Sequence, residues 1–320
     1  MDGDERSVSE LFDYFEALSR EARELYLGQT VPILEKPPSP LRFHREWVSP
    51  NKPVIIKNAV TSWPALEKWD LNYLSQILQN KKVSVAVTPN GLADAVYEDH
   101  FVLPEERKIK FEEFVHLLEH QNNKDGIFYI QQQDSNLIRE FPELLCDVDP
   151  EISWASEALN KKPDAVNLWI GSQESVSSMH KDHFENLYVV ITGAKHFILH
   201  PPTDQPFIPY EEFPVASYKE ISEGHFEIEP SNPASVVKWI PVDPKKPDLL
   251  KWPLYSKVQP FHCTVHPGEM LYLPSMWYHH VSQDKNTIAV NYWYDMEFDI
   301  KFNYFQFVEK LTTSLKNVKR

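Results

Sequence analysis

Cysteine is almost missing from this chain of 320 residues: Cys146 and Cys263 are the only two. Two thiols can build neither a disulfide framework nor a cysteine zinc cluster, which fits a reducing compartment. Glycine is scarce as well, with 8 residues, and there is no phosphate-cradling or dinucleotide-binding glycine loop. A GxSxG nucleophile elbow is also lacking, which removes the α/β-hydrolase form of serine chemistry. No apolar run approaches the roughly eighteen residues a membrane span requires. The opening MDGDERSVSE is acidic and has no apolar signal core, so the expectation is a protein that is not secreted. Basic residues are in deficit: 32 Lys and Arg stand against 47 Asp and Glu, a net charge of −15. That speaks against nucleic acid as a partner and suits a basic protein partner.

Proline and aromatic residues are abundant: 26 Pro, 13% aromatics and 9 Trp. Prolines end helices and central strands, so the chain is cut into short pieces, and aromatic-rich short pieces predict a β sandwich or barrel. With 42% hydrophobic and 25% charged residues there is enough apolar surface to fold rather than stay disordered.

Ser7 and Glu10 have capping-box spacing; Leu11, Tyr14, Phe15, Leu18, Ala22 and Leu25 follow at helical spacing, with Gly28 as the stop. A proline-rich connection fills residues 31–53. Strands are predicted at 53–57, 83–88 and 127–132, and helices at 71–78 and 111–120. The densest strand signal is 165–200, with Gly193-Ala194 as a turn, and strands resume at 270–274 and 287–294. Residues 201–262 read as a partly ordered insertion, not a separate domain. The tail turns helical near Phe298, where Ile300, Tyr304, Phe307, Val308, Leu311 and Leu315 form an apolar stripe suited to self-packing or to a dimer contact.

Thirteen histidines invite a search for a metal site. In His180-x-Asp182 an imidazole and a carboxylate two positions apart on a strand share one face. A third ligand from a distant strand would complete a two-His-one-carboxylate triad, which suits non-haem Fe(II) because one side of the metal stays open. The same spacing recurs at His44-x-Glu46, His183-x-Glu185 and His225-x-Glu227, so spacing alone leaves the choice open. His116 and His120 are four apart on a predicted helix whose apolar side is elsewhere, and His262 and His266 flank Cys263 just before a Pro-Gly turn. Both groupings have bland readings as surface histidines.

NLWIG at 167–171, HKD at 180–182, GAKHFILHPP at 193–202, PGEMLYLPSMWYHHV at 267–281 and AVNYWY at 289–294 follow one another in a familiar order. In these motifs the chain resembles the Jumonji-C family of Fe(II)- and 2-oxoglutarate-dependent oxygenases over about residues 45–297, and within it the small, single-domain hydroxylase branch. The resemblance implies a mainly β fold with flanking helices: a double-stranded β-helix (a jelly-roll, cupin-like barrel). It divides the chain into an N-terminal helical segment at 1–44, a catalytic barrel at 45–297 holding the 201–262 insertion, and a C-terminal helical dimerisation extension at 298–320. It assigns His180, Asp182 and His279, rather than His280, to the metal. It assigns Lys195 and Tyr129 to the distal carboxylate of 2-oxoglutarate, and Ser177, Asn186 and Asn291 to the co-substrate pocket. A buried lysine needs a partner, and a dicarboxylate is a fitting one.

The implied activity is a dioxygenase using Fe(II), 2-oxoglutarate and O2 and releasing succinate and CO2. The implied target is a lysyl side chain, hydroxylated at C3, on GTP-binding proteins of the translation-factor-related class. The expected setting is the cytoplasm and also the nucleus, with a homodimer formed through residues 298–318. Two other readings are weighed beside it. A histone lysine demethylase would release formaldehyde, but demethylases of the family commonly have Glu where Asp182 stands. A non-enzymatic dimeric barrel would have no need for both a triad and Lys195.

Overall fold

The computed structural model describes residues 2–120 and 126–318. Eight strands form its centre: β1 (Ala165–Gly171), β2 (Val176–Lys181), β3 (Phe184–Thr192), β4 (Lys195–His200), β5 (Phe261–Val265), β6 (Met270–Leu273), β7 (Tyr278–Gln283) and β8 (Thr287–Asp295). In the larger sheet they lie in the order β6–β3–β8–β1, and in the smaller β5–β4–β7–β2. Successive strands from β1 to β4, and again from β5 to β8, switch sheets at every step, so the two sheets close into a jelly-roll double-stranded β-helix. The larger sheet continues past β6 through Val54–Ile56 and Ile33–Leu34, and past β1 through Ile127–Ile130, Lys82–Thr88 and Glu105–Lys110.

Strand periodicity sorts the side chains into layers. On β3, Leu187, Val189 and Ile191 point outward into a core with Leu168, Ile170, Val290 and Tyr292, covered by the Leu71–Leu78 and Phe111–Glu119 helices. The alternate residues Tyr188 and Val190 point inward, with Trp169, Phe197, Leu199, Val281 and Ala289. Both faces are covered, so these strands read as near-continuous apolar runs. Gly193, at φ +76°, makes the β3–β4 turn; a Cβ there would lie 2.4 Å from the Thr287 hydroxyl.

Two terminal helices cover the outside of the smaller sheet. They are α1 (Asp2–Ala22), which continues as a π-turn to Leu27 and is stopped by Gly28, and α2 (Ile300–Val318). Both pack into a third core around Met179, Phe207 and Tyr278. Each differs from its sequence pattern. α1 starts ahead of Ser7, and its buried face carries Phe12, Phe15, Ser19, Ala22 and Arg23 rather than Tyr14, Leu18 and Leu25. The cause is a polar anchor: the fully buried Asp204 accepts from Ser19 Oγ at 2.5 Å and from Arg23 at 2.9 Å, and this rotates the helix. On α2 the stripe splits. Val308, Leu311 and Leu315 pack on the third core, whereas Ile300, Tyr304 and Phe307 are each more than 60% exposed.

Residues 201–262 are ordered. Glu211–Ser222 and His225–Pro230 form a hairpin that joins His100–Leu103 and Ala95–Tyr97 in a third sheet, and Val236–Trp239 pairs with the first of these strands. The prolines in this stretch conceal the strands from periodicity, because they fall at edges and ends, where a missing donor costs little.

Candidate metal centre

A β-bulge assembles the site. Ser177 on β2 lies opposite Val281 on β7, and His180 lies opposite His279; the extra residue between them is taken up as a register shift. Without that shift Ser177 and His180, three apart, would face opposite sides. With it both face the interior, and Met179 turns outward into the third core. Asp182 follows the end of β2, and its carbonyl accepts from the Met276 N–H at 2.8 Å, which ties it to the turn before β7.

The ligand atoms of His180, Asp182 and His279 all lie within 4.8 Å of one another. Asp182 Oδ2 is 3.7 Å from His180 Nε2 and 3.6 Å from His279 Nε2. His180 Nδ1 donates to the Ser178 carbonyl at 2.7 Å, and His279 Nδ1 donates to the Trp277 carbonyl at 3.0 Å. A carbonyl can only accept, so the proton sits on Nδ1 and each Nε2 turns a lone pair to the centre. Burial, with His180 adding to it, pulls His279 down to about 4, so it is neutral at physiological pH and competent as a ligand. Asp182 Oδ2 is buried with no hydrogen-bond partner. Two lone pairs and an orphaned carboxylate oxygen on one side of a cavity fit a divalent cation with open positions.

That cavity, of about 330 Å³, is walled by Trp169, Tyr188, Phe197 and Val281 and carries Asn186 and Asn291. Asn291 donates to Asn186 at 3.1 Å and accepts from Trp169 Nε1 at 2.8 Å, which fixes both amides. One inward step along β4 from Phe197 is Lys195, 1% exposed, with Nζ 2.9 Å from the Tyr129 hydroxyl. Ser177 acts on the same phenol, partly offsetting the rise that burial imposes on it. The rings of Tyr129, Tyr188 and Trp169 surround the ammonium at 5.2, 5.7 and 6.0 Å. No carboxylate pairs with it among the described residues, and burial alone lowers Lys195 to about 7. Gly171 makes room for this cluster, since a Cβ there would lie 2.5 Å from the Tyr129 ring.

All eight residues singled out from the sequence thus lie around one interior. The other His-x-acid pairs do not join it: His44, His183 and His225 are exposed, and Glu185 is a buried acceptor for Tyr272 and Ser275. His116, His120, His262 and His266 are also exposed. Sequence reasoning missed two wall residues, Asp94 and Trp239. Trp239 comes from the 201–262 segment, donates to Ser178 Oγ at 3.2 Å and stacks on His180 with an 11° interplanar angle. Asp94 lies in a short loop at φ +52°. Burial raises its carboxyl above the ordinary value, partly offset by His180. The one local signal for either was Asp94 itself, a charge between two alanines.

A model of the cupin-like domain family matches residues 40–300. The chain is 52% identical over 291 residues to the human bifunctional peptidase and (3S)-lysyl hydroxylase JMJD7, covering 91% of this chain and 92% of that one. It is 45% identical over 312 residues to the Arabidopsis thaliana lysine-specific demethylase JMJ32, covering 92% and 90%. It is 37% identical over 347 residues to JmjC domain-containing protein E of Dictyostelium discoideum, covering 99% and 98%.

Asp182→Ala tests the metal assignment. Mn(II) at about a hundred times its Kd should stabilise the parent protein by about 2.7 kcal/mol and the variant not at all. Without metal the two should differ by less than about 1 kcal/mol, because Oδ2 has no partner to lose. Thermal unfolding with and without Mn(II) reads both, and an undiminished shift in the variant would exclude Asp182 as a ligand.

Proposed function

The chain belongs to the cupin-like, Jumonji-C family of oxygenases, and from that premise we propose that it is an Fe(II)- and 2-oxoglutarate-dependent protein hydroxylase acting on lysyl side chains. The observation that carries this reading is a single interior with an orphaned triad at one end and an unpaired buried lysine at the other. Bound there, Fe(II) and 2-oxoglutarate supply O2 activation coupled to decarboxylation to succinate and CO2, with one oxygen atom inserted into a substrate C–H bond. His180, Asp182 and His279 hold one side of the metal, oriented by the Ser178 and Trp277 carbonyls. Lys195 and Tyr129 bind the far carboxylate of the co-substrate, with Ser177 positioning the phenol. Asn186 and Asn291 fix the polar wall, and Trp169, Tyr188 and Phe197 exclude water.

The (3S)-lysyl product is supported by the name of the human relative. The target class, translation-factor-related GTP-binding proteins, rests on the family resemblance, and the net charge of −15 suits a basic partner segment. Catalysis is assigned to residues 45–297, and the setting to cytoplasm and nucleus. A demethylase reading is favoured by the name of the Arabidopsis relative. Mass spectrometry separates the two: incubation with iron and 2-oxoglutarate should add one oxygen to a lysyl peptide of a GTP-binding protein. Formaldehyde from a methylated peptide, with no such oxygen, would favour demethylation.

The pH dependence of co-substrate binding tests Lys195. Above about pH 7 the empty site holds a neutral amine, and a bound carboxylate restores the ammonium by drawing a proton from solvent. Affinity for 2-oxoglutarate in the presence of Mn(II) should therefore fall up to about tenfold per pH unit above that point. Calorimetry in buffers of unlike ionisation enthalpy should show proton uptake. Lys195→Met should bind weakly and without this slope, and a flat profile in the parent protein would contradict the assignment.

The exposed Ile300, Tyr304 and Phe307 side chains of α2 support a homodimer through residues 298–318. Sedimentation velocity should give a dimer, and Phe307→Lys should shift it toward monomer; a monomeric parent protein would remove this reading.

A further inference from the structure

We propose that Asp94 is the substrate anchor: its carboxylate receives the ammonium of the target lysine and leaves the methylene carbons facing the triad. The proposal deepens the hydroxylase reading and rests on it for the identity of the side chain. Its starting point is the distribution of charge in the interior. The ionisable side chains lining the metal cavity are Asp94, His180, Asp182, Tyr188 and His279; the lysine of this interior, Lys195, is hydrogen-bonded to Tyr129 and already assigned to the co-substrate. Asp182 faces the ligand atoms of the two histidines, and a metal held by the three would answer its charge. Asp94 has neither: its carboxylate makes no hydrogen bond or ion pair among the described residues. A half-buried carboxylate at a cavity wall, with only His180 to offset its burial in part, is a costly feature unless a cation visits.

The backbone holds this carboxylate in place. Ala93 pairs in parallel with Ser177 on β2, and the Asp94 carbonyl accepts from Ser178 Oγ at 2.7 Å. The same Ser178 supplies the carbonyl that orients His180, so anchor and triad hang from one strand. Asp94 is in the left-handed region at φ +52°, while Ala93 and Ala95 on either side are buried. A non-glycine residue held in that region beside a site is the kind of strain that positions a functional group.

The cavity also has an entrance that fits. Asp94, Gln131 and Gln133 are shared with an open groove of about 630 Å³. Its cation, Lys219, is already paired with Glu229 at 3.4 Å. A basic segment lying in this groove would reach the cavity past Asp94. Phe101 and Trp239, with ring centroids 4.6 Å apart, offer an apolar wall to a lysine stem whose head is held by a carboxylate. With the nitrogen held at Asp94, carbon positions rather than N-substituents are left for the metal, which is the arrangement a hydroxylase needs and a demethylase does not.

The test compares binding of two short peptides that differ only in carrying lysine or norleucine, to the full chain loaded with Mn(II) and N-oxalylglycine. The parent protein should prefer lysine by about tenfold to a hundredfold, the range of a charge-assisted hydrogen bond. Asp94→Asn, whose side chain also tolerates the left-handed backbone, should lose that preference and bind both peptides alike. A parent protein that does not distinguish the peptides, or a folded Asp94→Asn that still prefers lysine, overturns the anchor. The outcomes separate from those of the hydroxylase reading. A lysine preference that depends on Asp94, without oxygen added to any lysyl peptide, keeps the anchor and removes the hydroxylase. Oxygen added with no role for Asp94 does the reverse.

Discussion

The interior depends on one extra residue in β2. Strand side chains alternate, so Ser177 and His180 can share a face only if the register slips between them, as it does opposite Val281 and His279. The same slip sends Met179 outward, where it fills the core beneath both terminal helices. One backbone irregularity therefore faces the metal ligand inward, turns Ser177 toward the Tyr129 phenol, and nails the outer layer to the smaller sheet. A one-residue deletion here would remove the bulge: Ser177 and His180, then two apart, would still share the inner face, but either Ser178, which holds the Asp94 carbonyl, or Met179, which fills the outer core, would be lost.

The layers packed around this bulge have polar contents to offset. Lys195 and Asp182 face the interior, and among the described residues neither is paired with a lysine, an arginine or a carboxylate of opposite charge. Such groups oppose folding, and the surrounding layers must offset them. Both faces of the larger sheet are covered, one by helices and one by the aromatic interior. Asp204, fully buried, is by contrast satisfied internally, by Ser19 and Arg23. The contrast between a satisfied Asp204 and unsatisfied interior groups separates a structural anchor from a site waiting for ligands.

Barrel strands β1, β3, β4, β6 and β8 and the motif residues were legible, because alternation and turn residues act over a few neighbouring positions; β5 and β7 were not predicted as strands. His180, Asp182, His279 and Lys195 stand in strings whose spacing survives folding unchanged. What was not legible depended on distant partners. The buried face of α1 follows Asp204, far along the chain, and apolar periodicity does not register a buried Arg23 or Ser19. The α2 stripe reads as one face, although the third core has room only for Val308, Leu311 and Leu315. Trp239 reaches His180 from a segment whose prolines mask its strands, and Asp94 lies in a loop that pairs with β2 only in three dimensions.

These late-appearing residues share a location. The triad, Lys195 and the amide pair all come from barrel strands, or in Asp182's case from the end of one. Trp239, Phe101 and Asp94 instead come from the third sheet and the loop that leads into it. The groups assigned to metal and co-substrate are thus on the barrel's own strands and on the neighbouring Tyr129. The third sheet builds the opposite wall, toward the open groove that shares Asp94 with the cavity. Its contacts to Ser178 are the physical link between the two parts: Trp239 donates to the hydroxyl, that hydroxyl donates to the Asp94 carbonyl, and the Ser178 carbonyl orients His180. A change in the third sheet therefore reaches the triad through His180, by way of Ser178 and the Trp239 ring, whereas His279 is oriented from the Trp277 carbonyl, away from that wall.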